Sequence, residues 1–348
     1  MKKSELFEMR KRVGNLNALY GVTDYVLNDG AAKGVRVFHL RNGKGLDMTI
    51  AADRGLDIPF LSYKGVNMGF AAKTGMRAPG LYQEEGVRGF LKQFNAGQLT
   101  SCGITYAGAP CVDEGRTLGL HGPYSNTPAA EVSARTEFVG DEAVIRVSGS
   151  VREACVFEEN MLLSRQITVS TERDEVEVVD TVENQGFATQ PVMMVYHINF
   201  GYPMLDEGTR VYTNAASVAP RDAWAKDGPG VYGVMDAPEV GRGEQCYFHT
   251  AFEGDTAFAM VHNEKLGLAA IITFDKGAFP LLCEWKCMMA GDYALGLEPT
   301  VAGVMGRAYA REHGVMPTLE PGKQMKLAFK LTYTDDAQLI ARYKALAK

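Results

Sequence analysis

The stretch that best indicates the fold reads EVEVVDTVENQG and occupies residues 175–186. Its valines alternate with charged side chains, which is the pattern of a strand with one face in a protein core. The last three letters, Asn184-Gln185-Gly186, end that strand with a turn. The preceding stretch LSRQITV, residues 163–169, alternates in the same way. Two alternating strands in succession predict an antiparallel sheet.

Strand and turn signals continue along most of the chain. Residues 35–40 and 46–51 lie on either side of Asn42-Gly43-Lys44-Gly45, a turn signal that predicts a β-hairpin. The 38 glycines occur at short intervals, as expected where tight turns join many short strands. This pattern predicts an all-β protein built as a large antiparallel sandwich.

Helical patterns are few. Residues 4–13 predict a short helix with Ser4 as N-cap, and residues 82–92 predict a weaker one. Residues 336–347 give the clearest pattern, because Asp336 can cap a segment with apolar residues at helical spacing. No linker, repeat or low-complexity segment divides the chain, so we expect residues 1–348 to form a single domain.

Composition narrows the classes of partner and the compartment. The net charge is -6 and no long basic run occurs, which argues against a nucleic-acid partner. No apolar stretch approaches the roughly 20 residues of a membrane span, and the N-terminal residues lack the apolar segment of a signal peptide. The cysteines form no Cys-x-x-Cys pair, which favours reduced thiols over disulfides or a zinc site. We therefore expect a cytoplasmic protein with no membrane partner.

One nucleotide-binding signature occurs by chance. Residues 228–233, GPGVYG, match G-x-G-x-x-G. That motif requires a strand before it and a helix after it, whereas prolines surround this copy and no helical pattern follows. We interpret it as a turn within a long loop, residues 221–243, that covers a site. No cofactor is predicted.

The stretch MMVYHINF, residues 193–200, places a histidine and an asparagine on one face of a strand. His197 and Asn199 project together because alternate side chains of a strand share a face. Two interpretations are open. His197 either faces a concave surface as a functional group, or it is a structural histidine hydrogen-bonded to Asn199.

Glu298 and His121 occupy positions that suit a functional site. Glu298 ends an apolar strand in which Ala294 and Gly296 share its face, so small side chains leave room for a ligand. A carboxyl group in that position has a raised pKa or a partner. His121 lies in LGLHGPYSN, residues 118–126, whose Gly and Pro residues indicate a tight loop that fixes the side chain.

A further charged pair lies on the strand that precedes Glu298. Glu284 and Lys286 share a strand face with Leu282. A salt bridge between the two charges is the favoured interpretation, since such pairs are common on sheet faces.

Seven short segments follow one another in an order that is informative as a set. They are ADRGLDI (52–58), LTSCG (99–103), LHG (120–122), residues 195–203, VAPRD (218–222), EWK (284–286) and GLEP (296–299). Together they resemble the aldose 1-epimerase (galactose mutarotase-like) superfamily, and most of all a largely uncharacterised bacterial branch of it. The resemblance implies a β-supersandwich fold with a sugar in its concave face.

The resemblance also implies roles for individual residues. His121 would bind the sugar, His197 would act as general acid and Glu298 as general base. Such a pair can open a cyclic hemiacetal without metal or another cofactor, because one group removes a proton from the anomeric hydroxyl and the other protonates the ring oxygen. The other predicted sugar-binding residues are Arg54, Asn199, Arg221, Asp222, Glu284, Trp285 and Lys286, with Trp285 or Tyr124 as a stacking platform.

Three functions are open at this point. The first is a sugar 1-epimerase (mutarotase). The second is another sugar isomerase, epimerase or lyase on the same scaffold, which a divalent metal held by His121, His197 and a carboxylate would support. The third is a non-catalytic carbohydrate-binding protein, since a fold does not dictate a function. A small-molecule sugar is the expected partner, and the oligomeric state is left open, a homo-oligomer included.

Overall fold

The computed structural model describes residues 1–348, and strands account for most of its regular structure. The strands are β1 (Gly21–Val26), β2 (Arg36–Arg41), β3 (Leu46–Ala51), β4 (Asp57–Tyr63), β5 (Val66–Asn67), β6 (Phe70–Ala71), β7 (Ala96–Gly97), β8 (Leu99–Cys102), β9 (Cys111–Asp113), β10 (Arg116–Leu118), β11 (Ala130–Val139), β12 (Glu142–Ala154), β13 (Asn160–Ser170), β14 (Glu175–Asn184), β15 (Gln190–Pro191), β16 (Val195–Phe200), β17 (Arg210–Thr213), β18 (Ala215–Pro220), β19 (Gln245–Phe252), β20 (Ala257–Asn263), β21 (Leu268–Phe274), β22 (Leu281–Met289), β23 (Asp292–Thr300), β24 (Thr318–Leu319) and β25 (Gln324–Thr334). The helices are α1 (Leu6–Arg10), α2 (Val87–Gln93), α3 (Ala223–Asp227), α4 (Arg307–Glu312) and α5 (Ala337–Leu346).

Two large antiparallel sheets contain most of these strands. The first has 11 strands in the order β1-β2-β3-β4-β8-β16-β23-β22-β19-β18, with β5 beside β4. The second has eight, in the order β11-β12-β13-β14-β25-β21-β20-β17. Each sheet therefore joins strands that are far apart in the sequence. The predicted all-β fold with a few short helices is confirmed.

The main core joins the facing sides of the two sheets. It is a cluster of 52 buried residues, to which β14 contributes Val176, Val178 and Val182 and β16 contributes Tyr196 and other apolar residues. The alternation in residues 175–186 thus marks the core side of a strand as predicted. Burying a valine or a larger apolar side chain stabilises the fold by about 1.5–3 kcal/mol, so this cluster supplies the main driving force for the sandwich.

The opposite face of the first sheet carries a second, smaller cluster of 12 buried residues. Val195 of β16, Ala294 of β23 and Cys287 of β22 belong to it, together with Phe90 of α2 and Phe94 just beyond that helix. Here the sheet is covered by a short helix and loops. Unlike a second sheet, such a covering can leave a cavity above the strands.

Four of the five helices depart from the sequence prediction. Ser4 was expected to cap a helix over residues 4–13. Instead a 3-10 turn precedes α1, which is five residues long, and Ser4 bonds to Asp141. The helix expected over residues 82–92 begins only at Val87, after Gly86 with a φ of 62°. The short helices α3 and α4 were not predicted.

The C-terminal helix agrees with the prediction. Asp336 accepts hydrogen bonds from the backbone N–H groups of Gln338 and Leu339 and so caps α5.

The hairpin β2–β3 also forms as expected, and the Asn42 side chain accepts hydrogen bonds from three backbone N–H groups within its turn. None of the helices combines the length and the apolar character that crossing a bilayer requires.

Candidate functional site

His197 and Glu298 meet on neighbouring strands of the first sheet. The register pairs Val195 with Thr300 and Ile198 with Leu297, which sets His197 opposite Glu298. The Nε2 atom of His197 lies 3.1 Å from Oε1 of Glu298. Both side chains project away from the main core, on the face that α2 and its loops cover. Strand alternation predicted the direction of each side chain separately. The register of the sheet makes the two side chains neighbours.

Burial shifts the two pKa values in opposite directions. Loss of solvation raises the pKa of Glu298 to about 8, with the nearby Glu244 carboxylate adding to the rise. Loss of solvation also lowers the pKa of His197 to about 3. Burial thus disfavours the charged form of each group and favours a neutral pair, with a protonated carboxyl group on Glu298 and a neutral imidazole on His197. The usual order of the two pKa values is reversed.

His121 reaches the same place from its loop. It adopts a positive φ of 63° between Leu120 and Gly122, so the loop holds it in a conformation that few side chains adopt. Its ring lies 5.9 Å from the His197 ring and 4.9 Å from that of Phe90, measured between centroids. Burial lowers the pKa of His121 to about 4, so this ring is neutral as well. The Nδ1 atoms of both histidines are buried and have no hydrogen-bond partner in the protein.

These residues line a cavity of about 300 Å³. Trp285 forms part of its wall, with its ring 5.3 Å from the His197 ring, and its Nε1–H donates to Oε2 of Glu244 at 2.7 Å. Arg221 and Glu244 lie at the same wall and are joined by an ion pair of 3.2 Å. The volume is at the lower end of the range of roughly 300–1,000 Å³ for small-molecule sites. The full lining is Val87, Phe90, Leu91, Phe94, Ala109, Pro110, Leu120, His121, His197, Arg221, Glu244, Cys246, Cys283, Trp285, Glu298 and Val304.

Five predicted sugar-binding residues lie outside the cavity, and the first three are Arg54, Asn199 and Asp222. The Arg54 guanidinium is buried and donates to the backbone carbonyls of Ser125, Arg77 and Gln93, so it fastens three segments together. Asn199 is fully buried and donates to the backbone carbonyls of His197 and Ala96. Its side chain also opposes part of the fall in the His197 pKa, so the interpretation of His197 as a structural histidine beside Asn199 stays open. Asp222 caps α3 and pairs with Arg221.

The predicted salt bridge between Glu284 and Lys286 is wrong. Glu284 lies 2.9 Å from Nε2 of His249 and accepts from the backbone N–H of Gly233. Lys286 pairs with Asp236 at 2.7 Å instead. Both partners of β22 come from β19 and from the loop before it, which the local pattern on β22 cannot reveal.

Glu284 and Lys286 lie outside the cavity because side chains alternate between the two faces of β22. Cys283 and Trp285 project to the cavity side of β22, so Glu284 and Lys286 must project to the other. Tyr124 is also buried away from the cavity, against Gly55 and the Arg165 guanidinium. Of the two predicted stacking platforms, only Trp285 lines the cavity. The GPGVYG segment forms a turn in the loop after α3, as predicted.

Several lining residues were not anticipated from the sequence. Phe90 lies in α2 and Phe94 directly follows it. Glu244 directly precedes β19, Cys246 lies in β19 and Cys283 lies in β22. A signal existed only for Cys283, which shares a strand face with Trp285. No group of three or more His, Cys, Asp or Glu side chains has the spacing of a metal site.

A family model described as "Domain of unknown function (DUF4432)" matches residues 32–333. The chain belongs to this family. No curated protein matches the DUF4432 chain. Among solved structures, it is similar to a "putative aldose 1-epimerase" from Klebsiella pneumoniae subsp. pneumoniae MGH 78578, with a TM-score of 0.87 and 23% identity over 95% of this chain and 89% of that one.

Two further solved structures share the architecture of the DUF4432 chain. A galactose mutarotase-like protein from Clostridium acetobutylicum has a TM-score of 0.66 at 14% identity, covering 91% of this chain and 99% of the other. A galactose 1-epimerase from Lactobacillus acidophilus NCFM has a TM-score of 0.57 at 11% identity, covering 90% and 99%. At these identities the likeness establishes the fold. The galactose mutarotase-like fold that the motif resemblance implied is therefore confirmed.

Proposed function

We propose that this protein is a sugar 1-epimerase, which interconverts the two anomers of a sugar through the open-chain form. The observation that carries the proposal is the buried contact of 3.1 Å between His197 and Glu298 inside a cavity of monosaccharide scale. The pair offers a proton donor and a proton acceptor side by side. A titratable pair with opposed pKa shifts in a cleft is the kind of arrangement that acid–base chemistry requires.

Ring opening needs two proton transfers at oxygens attached to the same carbon. A proton leaves the anomeric hydroxyl while the bond between the anomeric carbon and the ring oxygen breaks, and the ring oxygen takes up a proton. Because the two oxygens share a carbon, the groups that serve them must lie next to each other. His197 and Glu298 meet this requirement on their adjacent strands.

We assign the starting roles from the directions of the two pKa shifts, which favour a protonated Glu298 and a neutral His197. Glu298, with a pKa of about 8, carries the proton for the ring oxygen, and neutral His197 accepts the proton of the anomeric hydroxyl. This is the reverse of the assignment that the family resemblance implies. Ring closure on the other face of the carbonyl is the same reaction run backwards, so each group then performs the opposite transfer.

Other groups in the cavity would hold the sugar. His121 lines the cavity beside the reacting pair, and the Trp285 ring offers an apolar face there. Arg221 and Glu244 supply a donor and an acceptor for hydroxyl groups on one side. Of the predicted binding residues, His121, Arg221 and Trp285 are the ones we retain.

The test is exchange spectroscopy of anomers by NMR across a panel of aldoses and ketoses, with the spontaneous rate subtracted. We expect His197→Asn and Glu298→Gln each to reduce the catalysed rate by about 100-fold or more, because a positioned acid or base contributes about that much. Unchanged exchange in both variants would refute the assignment.

The chain supplies a matched control for these substitutions. His249 and Glu284 form a second buried His–Glu contact, of 2.9 Å, and neither residue lines the cavity. His249→Asn and Glu284→Gln therefore disturb a similar pair without touching the proposed chemistry. Both controls are expected to retain exchange as long as thermal denaturation shows them folded. Equal loss in the two pairs of variants would indicate a general structural effect.

A further inference from the structure

The cavity has one wall that offers almost no hydrogen bonds. Its polar side chains, apart from His121, come from the sheet and the segments bordering it. The wall that α2 and the nearby loops contribute is apolar. Its members include Val87, Phe90, Leu91, Ala109, Leu120 and Val304.

Two backbone N–H groups of that wall are already used within the protein. The N–H of Ala109 donates to the carbonyl of Val304 at 2.8 Å. The N–H of His121 donates to the carbonyl of Gly108 at 2.9 Å. A ligand hydroxyl turned towards the buried part of this wall, at Phe90, would lose its bonds to water and find few in return, which is unfavourable, whereas Val87 and Leu91 form the half-exposed rim of the wall.

The charges in the cavity are also balanced. Arg221 is the only Lys or Arg side chain in the lining, and it already pairs with Asp222 at 2.9 Å and Glu244 at 3.2 Å. Phosphate recognition calls for uncompensated donors, such as free Arg or Lys side chains. A phosphorylated sugar would instead bring its negative charge next to Glu244.

We infer that the sugar taken by this cavity is an uncharged 6-deoxy sugar, whose methyl group lies against the apolar α2 wall. The inference rests on the proposed function, and it narrows the substrate class. A 6-deoxy sugar replaces a protruding hydroxymethyl group by a methyl group. The methyl group loses no hydrogen bond at this wall and gains contact with apolar side chains.

The experiment compares pairs of sugars that differ in one oxygen atom. The pairs are D-galactose with 6-deoxy-D-galactose, D-glucose with 6-deoxy-D-glucose, and L-mannose with 6-deoxy-L-mannose, and D-glucose 6-phosphate is added as the charged probe. Binding to the full chain is measured by titration calorimetry, and anomer exchange by NMR. In at least one pair we expect the deoxy sugar to bind about tenfold more tightly or better, since an unpartnered buried hydroxyl costs about that factor. The phosphate should bind more weakly than glucose.

A variant then tests whether the apolar wall causes the preference. Leu91 is about half exposed on α2, so Leu91→Gln adds a polar group to the wall with little risk to folding. Leu81→Gln is the control, because Leu81 is similarly exposed and does not line the cavity. Leu91→Gln should reduce the preference for the deoxy sugar several-fold, and Leu81→Gln should leave it unchanged.

The outcomes separate this inference from the proposed function. Deoxy sugars that bind more tightly but are not exchanged would support the inference and refute the epimerase. Exchange that is equal for both members of every pair would support the epimerase and overturn the inference. Preference for D-glucose 6-phosphate, or failure of every deoxy sugar to bind, would also overturn it.

Discussion

Gly296 and Glu298 point to the same face of β23, and a Cβ atom at position 296 would lie only 2.7 Å from Oε1 of Glu298. The same atom would lie 3.0 Å from Cε1 of His197. A side chain at position 296 would therefore require the carboxyl group or the imidazole to shift. A residue without chemistry of its own thus sets the geometry of the pair.

We expect Gly296→Ala to disrupt exchange while the chain stays folded. The added methyl group has to displace either the carboxyl group or the imidazole, and a displacement of about 1 Å can cost on the order of 100-fold in rate. Gly80→Ala is the control, because a Cβ there meets nothing within 4 Å and the glycine has no positive φ. NMR exchange rates and thermal denaturation of both variants provide the measurement. A fully active Gly296→Ala would show that the observed spacing is not required.

The pH dependence of exchange should follow the reversed pKa order. Above a pKa of about 8 Glu298 loses its proton, so the donor disappears as pH rises. Below a pKa of about 3 His197 becomes protonated, so the acceptor disappears as pH falls. The catalysed kcat/KM should therefore be level through neutral pH and drop about tenfold per pH unit well above 8.

The measurement is kcat/KM for exchange from about pH 4 to about pH 10, corrected for the spontaneous reaction at each pH. The descent above the Glu298 pKa should be absent from the residual activity of Glu298→Gln, because glutamine does not titrate. A maximum confined to the region between the ordinary pKa values of Glu and His would contradict the prediction.

Sugar binding should change tryptophan fluorescence through one residue. The chain has two tryptophans, and only Trp285 lines the cavity, whereas Trp224 lies on α3 and is 45% exposed. A bound sugar removes water from around the indole of Trp285 and touches its ring. We expect Trp285→Phe to abolish the fluorescence change and to weaken binding, and Trp224→Phe to retain both. The reverse result would place the ligand elsewhere.

The buried ion pair beneath the site should be important for stability. Arg165 and Asp180 are both inaccessible to solvent, joined by two hydrogen bonds of 2.9 and 2.7 Å, and the Tyr196 hydroxyl donates to the same carboxylate at 2.6 Å. Asp180→Asn removes the charge and leaves the guanidinium buried. We expect the free energy of unfolding to fall by about 3–5 kcal/mol, the usual cost of breaking a buried pair.

Chemical denaturation of Asp180→Asn against the unmodified chain provides that measurement. The control is Asp24→Asn, which breaks the exposed pair with Arg36 and should cost less than about 1 kcal/mol. Similar small losses in both variants would mean that Asp57, 3.4 Å from Arg165, compensates the guanidinium by itself.

Much of the fold was determined by local patterns in the sequence. The alternation in residues 175–186 identified the core side of β14, and Asn42-Gly43 identified a hairpin. Both signals work because side chains on a strand alternate with a period of two and because a tight turn involves only neighbouring residues. Helix α2 was harder to delimit, since a helix of seven residues owes its stability to packing rather than to its own sequence.

The site was determined in part by the sequence and in part only by the tertiary structure. Alternation predicted which way His197 and Glu298 point, and tight-loop residues marked His121. The sheet register brings His197 and Glu298 into contact. Segments far along the chain supply His249 as the partner of Glu284 and Asp236 as the partner of Lys286. The direction of a side chain on a strand is a local property, whereas its partner and its solvation depend on segments that the fold brings from far along the chain.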